Sequence, residues 1–160
     1  FATLVKAVEQ GRSIYSNIRK FVRYLLSCNI GEVLTMFLGI VLGLPVVMLP
    51  TQLLLVNLVT DGLPAIALGV EPLDREVMKR PPRKLNESFF SGGLGFKIIF
   101  RGIMIGLCTL GSFMLILKSG AGISTARTAG LMTLVISQLL HVFECKDEKG
   151  ISLLFITLII

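Results

Sequence analysis

Apolar stretches long enough to cross a bilayer constrain this chain more than any other feature. They lie at about 25–43, 51–69, 92–117 and 125–144, and a shorter one, ISLLFITLII, closes the sequence at 151–160. A helical span needs roughly 20 apolar residues. In lipid every backbone polar group must be satisfied internally, which helices do within one segment. The expected fold class is therefore an all-α membrane protein, a polytopic helical bundle. Composition agrees. The chain of 160 residues is 53% hydrophobic and only 16% charged, which a water-soluble domain rarely matches. Its mean hydropathy is +0.81.

The net charge of +6 could suggest nucleic acid. The basic residues instead flank the apolar runs, as topology signals do, and no nucleic-acid partner is expected. Lys6, Arg12, Arg19, Lys20, Arg23, Arg75, Lys79, Arg80, Arg83, Lys84, Lys146 and Lys149 fall on one side, with Lys97 and Arg101 near it. Lys118 and Arg127 fall on the other. The basic side is expected to be cytoplasmic. Cys28, Cys108 and Cys145 show neither metal nor disulfide spacing and read as buried apolar residues.

Residues 1–24 form an amphipathic pattern, with Leu4, Val8, Ile14, Ile18, Phe21 and Val22 at helical spacing. No break separates this segment from the first span, so it reads as a long stalk helix rather than a signal peptide. Residues 25–69 hold the first two spans, joined by a turn at Gly43, Pro45 and Pro50. Residues 70–90 form a charged, Pro-containing cytoplasmic loop. Residues 91–144 hold the third and fourth spans, the third rich in glycine, which permits close helix packing. Residues 145–160 give a short loop and a truncated fifth span. Starting without Met and stopping inside an apolar run, the sequence reads as a piece of a larger protein.

The costly residues lie in the second span, in NLVTDGLP. A carboxylate at bilayer depth is expensive and marks function by default. Asn57, Thr60 and Asp61 stand at i, i+3 and i+4, so a helix puts them on one face. Their oxygen donors suit a hard cation such as calcium or magnesium. Pro64 cannot donate to the carbonyl of Thr60, and Gly62 tolerates unwinding, so one unwound transmembrane helix is expected. The competing reading is a Pro-kinked helix whose Asp pairs with a neighbour.

The first span offers Asn29 and Glu32 at i, i+3. Two carboxylates on adjacent spans, Glu32 and Asp61, can converge on one ion. Without it they would repel, which invites proton exchange against the metal. Gln138, midway along the fourth span, could complete the set or serve only as packing glue. Glu32 could likewise be a structural hydrogen-bonding group. His141, near Glu144, reads as interfacial. The chain carries no phosphate loop, HExxH or nucleophile elbow, so no catalytic residue is expected in it.

The segments VEQGRSIYSNIRKFVRYLLSCNIGEV (8–33) and QLLLVNLVTDGLPAIALGVEPLDREVMKRPPR (52–83) closely resemble the fifth and sixth membrane helices, and the following loop, of P-type calcium pumps. The likeness is nearest the sarcoplasmic-reticulum-type (P2A) branch, in a prokaryotic version. It is specific through residue 88 and rests on hydropathy beyond, apart from the region of Gln138. The resemblance implies that Asn29, Glu32, Thr60, Asp61 and Gln138 bind one Ca2+, with Asp61 bridging to a second site that Asn57 joins. It further implies ATP and Mg2+ acting in missing cytoplasmic domains, missing transmembrane helices as partners, and proton counter-transport across a bacterial cell membrane. In the sarcoplasmic type an acid stands where this chain has Gln138. The plasma-membrane type has Gln there but loses the acid matching Glu32. One or two ions per cycle both stay open. The rival readings are a secondary cation/proton exchanger, which broken helices and intramembrane acids also fit, and a P-type pump for another cation.

Overall fold

The computed structural model describes residues 1–72, 77–79, 81 and 88–146. Four long helices carry these residues: α1 (Ala2–Val41), α2 (Pro50–Gly69), α3 (Leu94–Lys118) and α4 (Ile123–Lys146). A 3-10 turn spans Val77–Lys79. Each long helix is apolar enough to cross a membrane, and the chain is a multi-pass membrane protein. The expected fifth span, and Arg75, Arg80, Arg83, Lys84 and Lys149, lie outside the described residues.

The bundle is turned inside out relative to a water-soluble one. Leu58, Phe96 and Leu115 are more than 70% exposed, while Thr35, Thr109 and Gln138 are fully buried. Lipid accepts the outer apolar faces. Inside, the hydroxyls of Thr35 and Thr109 donate to carbonyls one turn back, Gly31 O (2.7 Å) and Ile105 O (2.8 Å). No buried donor is left without a partner by these threonines.

The chain reverses direction between α1 and α2 through a Schellman motif. Leu44 N–H donates to Gly39 O and Gly43 N–H to Ile40 O, with Gly43 at φ +66°. That left-handed conformation suits glycine. Pro50 then opens α2, where a missing N–H costs nothing, and Gln52 Oε1 accepts from the N–H of Leu49 at 2.9 Å.

α1 meets α3 along a seam of small residues. A Cβ added at Gly102 would lie 2.5 Å from Ile30 Cγ2, and one at Gly106 would lie 3.0 Å from Gly31 O. The backbones approach so closely because three glycines face each other, the packing expected of small residues in lipid. α4 packs on α3 on another side, where Thr133 Oγ1 and Ser112 Oγ are 2.9 Å apart.

Two apolar clusters bracket the interior. Val47, Met48, Val56, Ile105, Leu110, Phe113, Ala126 and Leu134 form one. Tyr24, Cys28, Ala65, Leu68 and Cys145 form the other. Along α1, α2 and α4 the sequence passes from one cluster to the other through Glu32, Asp61 and Gln138. The second cluster lies toward the basic end, where Lys20 pairs with Glu71 at 2.9 Å and Arg19 donates to Ser91 O at 2.8 Å. Arg127 Nε donates to Val46 O at 2.8 Å at the opposite end. Of the cysteines, Cys28 and Cys145 are buried, but Cys108 is exposed, contrary to the expectation for all three. It lines a small cleft between α3 and α4 with Arg101, Met104 and Ser137.

Candidate cation site

Glu32 is the centre of the polar layer. It is 4% exposed and on α1. Its Oε2 accepts from Asn57 Nδ2 of α2 at 2.7 Å, and its Oε1 accepts from Gln138 Nε2 of α4 at 2.9 Å. Three helices therefore meet on one carboxylate. Gln138 Oε1 is buried with no hydrogen-bond partner. Asn57 also donates to Leu53 O at 2.9 Å, one turn back.

Asp61 sits beside this group at 1% exposure. Its Oδ1 lies 3.4 Å from the hydroxyl of Tyr24, and its Oδ2 has no hydrogen-bond partner. The helix around it takes an unexpected form. Residues Val56–Asp61 make a π-helical turn, and Gly62 stays helical at φ −65°, ψ −48°. The interruption widens α2 instead of unwinding it. Pro64 lacks the N–H that Thr60 O would accept, so the chain absorbs one extra residue upstream. The freed carbonyl does not stay bare: Tyr24 Oη donates to Thr60 O at 3.0 Å. Tyr24, Cys28 and Glu32 stand four residues apart on one face of α1. That spacing was the available signal for Tyr24, which sequence reasoning passed over.

Asn29 is elsewhere. It is exposed, on a stripe with Leu26, Val33 and Phe37, and its amide donates to Leu25 O at 2.8 Å. Although three residues from Glu32, it lies far enough around α1 to face outward. Thr60 is half-buried and enters the layer through its carbonyl. The structure thus gathers Glu32, Asn57, Gln138 and the Thr60–Asp61 turn, and leaves Asn29 outside.

The arrangement offers two carboxylates, amide oxygens and a peptide carbonyl. Among the described residues no three of His, Cys, Asp and Glu form a metal-holding group. A cation held here would draw on neutral oxygens as much as on charge, which suits a hard ion. The two buried oxygens without partners, Asp61 Oδ2 and Gln138 Oε1, fit that chemistry. Cation binding would have to compete with the amide hydrogen bonds now holding Glu32.

A second polar group, nearer the basic end, was read differently from sequence. His141 is 2% exposed, so it is not interfacial. Its Nδ1 is 3.1 Å from Glu144 Oε2. Glu144 also pairs with Arg23 at 3.0 Å and with Arg101. Arg101, expected to mark topology, is 5% exposed and folded inward. A lone acid facing two arginines from other helices explains why these charges go inside: each is paired and hydrogen-bonded.

Known proteins resemble this chain over most of its length. Residues 45–159 match the family described as "Cation transporting ATPase, C-terminus". The calcium-transporting ATPase of Bacillus subtilis (strain 168) is 46% identical over 152 residues, 94% of this chain and 17% of that protein. Calcium-transporting ATPase 1 of Bacillus cereus is 44% identical over 164 residues, 92% of this chain and 18% of that protein. Calcium-transporting ATPase 4, endoplasmic reticulum-type, of Arabidopsis thaliana is 43% identical over 152 residues, 94% of this chain and 14% of that protein. The chain spans less than a fifth of the length of these relatives. Its apolar spans, its intramembrane acids and the match over 45–159 have one common account: the chain belongs to the cation-transporting ATPase C-terminus family.

Proposed function

We propose that this chain is the ion-binding transmembrane part of an ATP-driven pump that moves Ca2+ out of the cytoplasm, with protons returning. The carrying observation is the convergence of Asn57 and Gln138 on Glu32, beside the buried Asp61 at a π-helical turn. The names of the relatives support calcium as the cargo. Asp61, Glu32, Asn57, Thr60 and Gln138 are the proposed ligands. Asn29 joins them on the resemblance alone, from the outward side of α1. The reading places ATP and Mg2+ on cytoplasmic domains outside this chain. It places the basic end of the bundle in the cytoplasm and the protein in a bacterial cell membrane. Membership of an ATPase family disfavours the exchanger reading.

Binding would work by exchange. The side-chain amides of Asn57 and Gln138 now donate to Glu32. To coordinate a cation through oxygen, each amide would turn over and free a carboxylate oxygen. Protons reaching Glu32 or Asp61 would replace the metal charge on the return stroke. The test is calcium-dependent phosphorylation by ATP in the full-length protein carrying Asp61→Asn. Loss is expected, because the variant keeps the shape and removes the charge. Phosphorylation with unchanged calcium dependence would overturn the site assignment.

A further inference from the structure

A polar cavity of about 280 Å³ opens at the basic end, lined by Arg19, Lys20, Arg23, Ser91, Gly92, Leu94, Lys97 and Cys145. It lies between α1, the start of α3 and the end of α4. We infer that it is an anion site for the phosphate of a membrane phospholipid headgroup. The inference does not depend on which ion the protein moves.

Charge is the first argument. Among the described residues four cations line the cavity and no acid does. Lys20 has Glu71 as a partner, but Glu71 is shared with Lys146 at 3.7 Å. Arg23 has Glu144, which is shared with Arg101. Among the described residues Arg19 and Lys97 have no ion-pair partner, and Arg19 donates to the carbonyl of Ser91. The Arg23 Nε is buried without a hydrogen-bond partner. The cavity wall thus carries positive charge that the described acids leave unbalanced.

Geometry is the second. α3 begins at the cavity wall with Gly93 at its N-cap, in the left-handed conformation and with no side-chain cap. Its first N–H groups point toward the same end as the four cations, a combination suited to phosphate oxygens. The third argument separates a lipid from a free ion. Phe96 and Phe100, beside and one turn beyond Lys97, stack with centroids 6.1 Å apart and are exposed. Lys97 lines the cavity, and exposed aromatic rings flank it in sequence, which matches a headgroup with its acyl chains. Basic cavities between spans on the cytoplasmic side recognise anionic headgroups in this way.

The test is native mass spectrometry of the purified full-length protein with phosphatidylglycerol, phosphatidylcholine or inorganic phosphate added. One phosphatidylglycerol should be retained in preference to phosphatidylcholine. Lys97→Gln should weaken retention about fivefold and Arg19→Gln/Lys97→Gln about 25-fold, at about 1 kcal/mol per basic residue. Lys97 is exposed and has no ion pair among the described residues, so its variant should fold, and Lys97→Arg should restore retention. Lys118→Gln, at the other end of α3, should change nothing. Displacement of the lipid by inorganic phosphate would keep the anion site and assign it to free phosphate. Equal retention of the two lipids, or no effect of Arg19→Gln/Lys97→Gln, would overturn the inference.

Discussion

Replacing Gly102 by alanine should loosen the α1–α3 seam. The new Cβ would lie 2.5 Å from Ile30 Cγ2, 2.7 Å from Ile30 Cβ and 3.1 Å from Ser27 O. Ordinary contacts begin at 3.4 Å, so the surfaces must part by nearly an ångström. Rotating Ile30 cannot relieve this, because its Cβ is fixed to the backbone. Overpacking of this kind costs about 1–3 kcal/mol. The same substitution also gains about 1 kcal/mol of helix propensity. Gly111→Ala supplies that gain alone, since nothing lies within 4 Å of its added Cβ. The difference between the two variants therefore isolates the clash, at about 1–3 kcal/mol. Unfolding in mixed detergent micelles by titration with dodecyl sulfate would measure it. Equal midpoints for Gly102→Ala and Gly111→Ala would refute the close seam.

Three buried polar residues give further outcomes. Glu144→Gln leaves Arg23 and Arg101 facing a neutral group, and breaking a buried pair should cost about 3–5 kcal/mol in the same titration. Tyr24→Phe strips the donor from Thr60 O and should cost about 1–3 kcal/mol for the bare carbonyl. In the full-length protein, Tyr24→Phe should also raise the calcium concentration needed for phosphorylation, because the π-helical turn holding Asp61 loses its tie to α1. Unchanged calcium dependence with lowered stability would confine Tyr24 to a structural role. Gln138→Leu should leave Glu32 with one amide donor and abolish high-affinity calcium dependence; Gln138→Glu should retain it.

The helices were legible because lipid enforces a simple rule. A run such as 125–144 can only be a helix, whatever its neighbours do. The acids were legible for the same reason, since Glu32 and Asp61 have no business in hydrocarbon without a partner. Sequence could not show which polar residues turn inward. Asn29 and Glu32 are three apart, and the 60° between them on the helix separates an outer stripe from the core. Arg101 read as a topology marker because its partner Glu144 lies 43 positions away on another helix. The π-helical turn was hidden for a different reason. Pro64 announces a lost hydrogen bond, but unwinding, kinking and insertion of a residue all answer that loss, and the hydroxyl of Tyr24 helps decide among them.

The length of α1 has a mechanical consequence. Its 40 residues make a rod of about 60 Å, twice the thickness of the hydrocarbon. Were such a rod to pivot at its Gly43 end, a sideways push of about 4 Å at Ala2 would carry Glu32 only about 1 Å, by the ratio of the two arms at ~1.5 Å per residue. A pivot at the glycine seam would act differently. Gly31 is the neighbour of Glu32, so the carboxylate would turn nearly in place. The large stroke of the outer end would reach the polar layer as a change of aim, a gearing that trades distance for orientation.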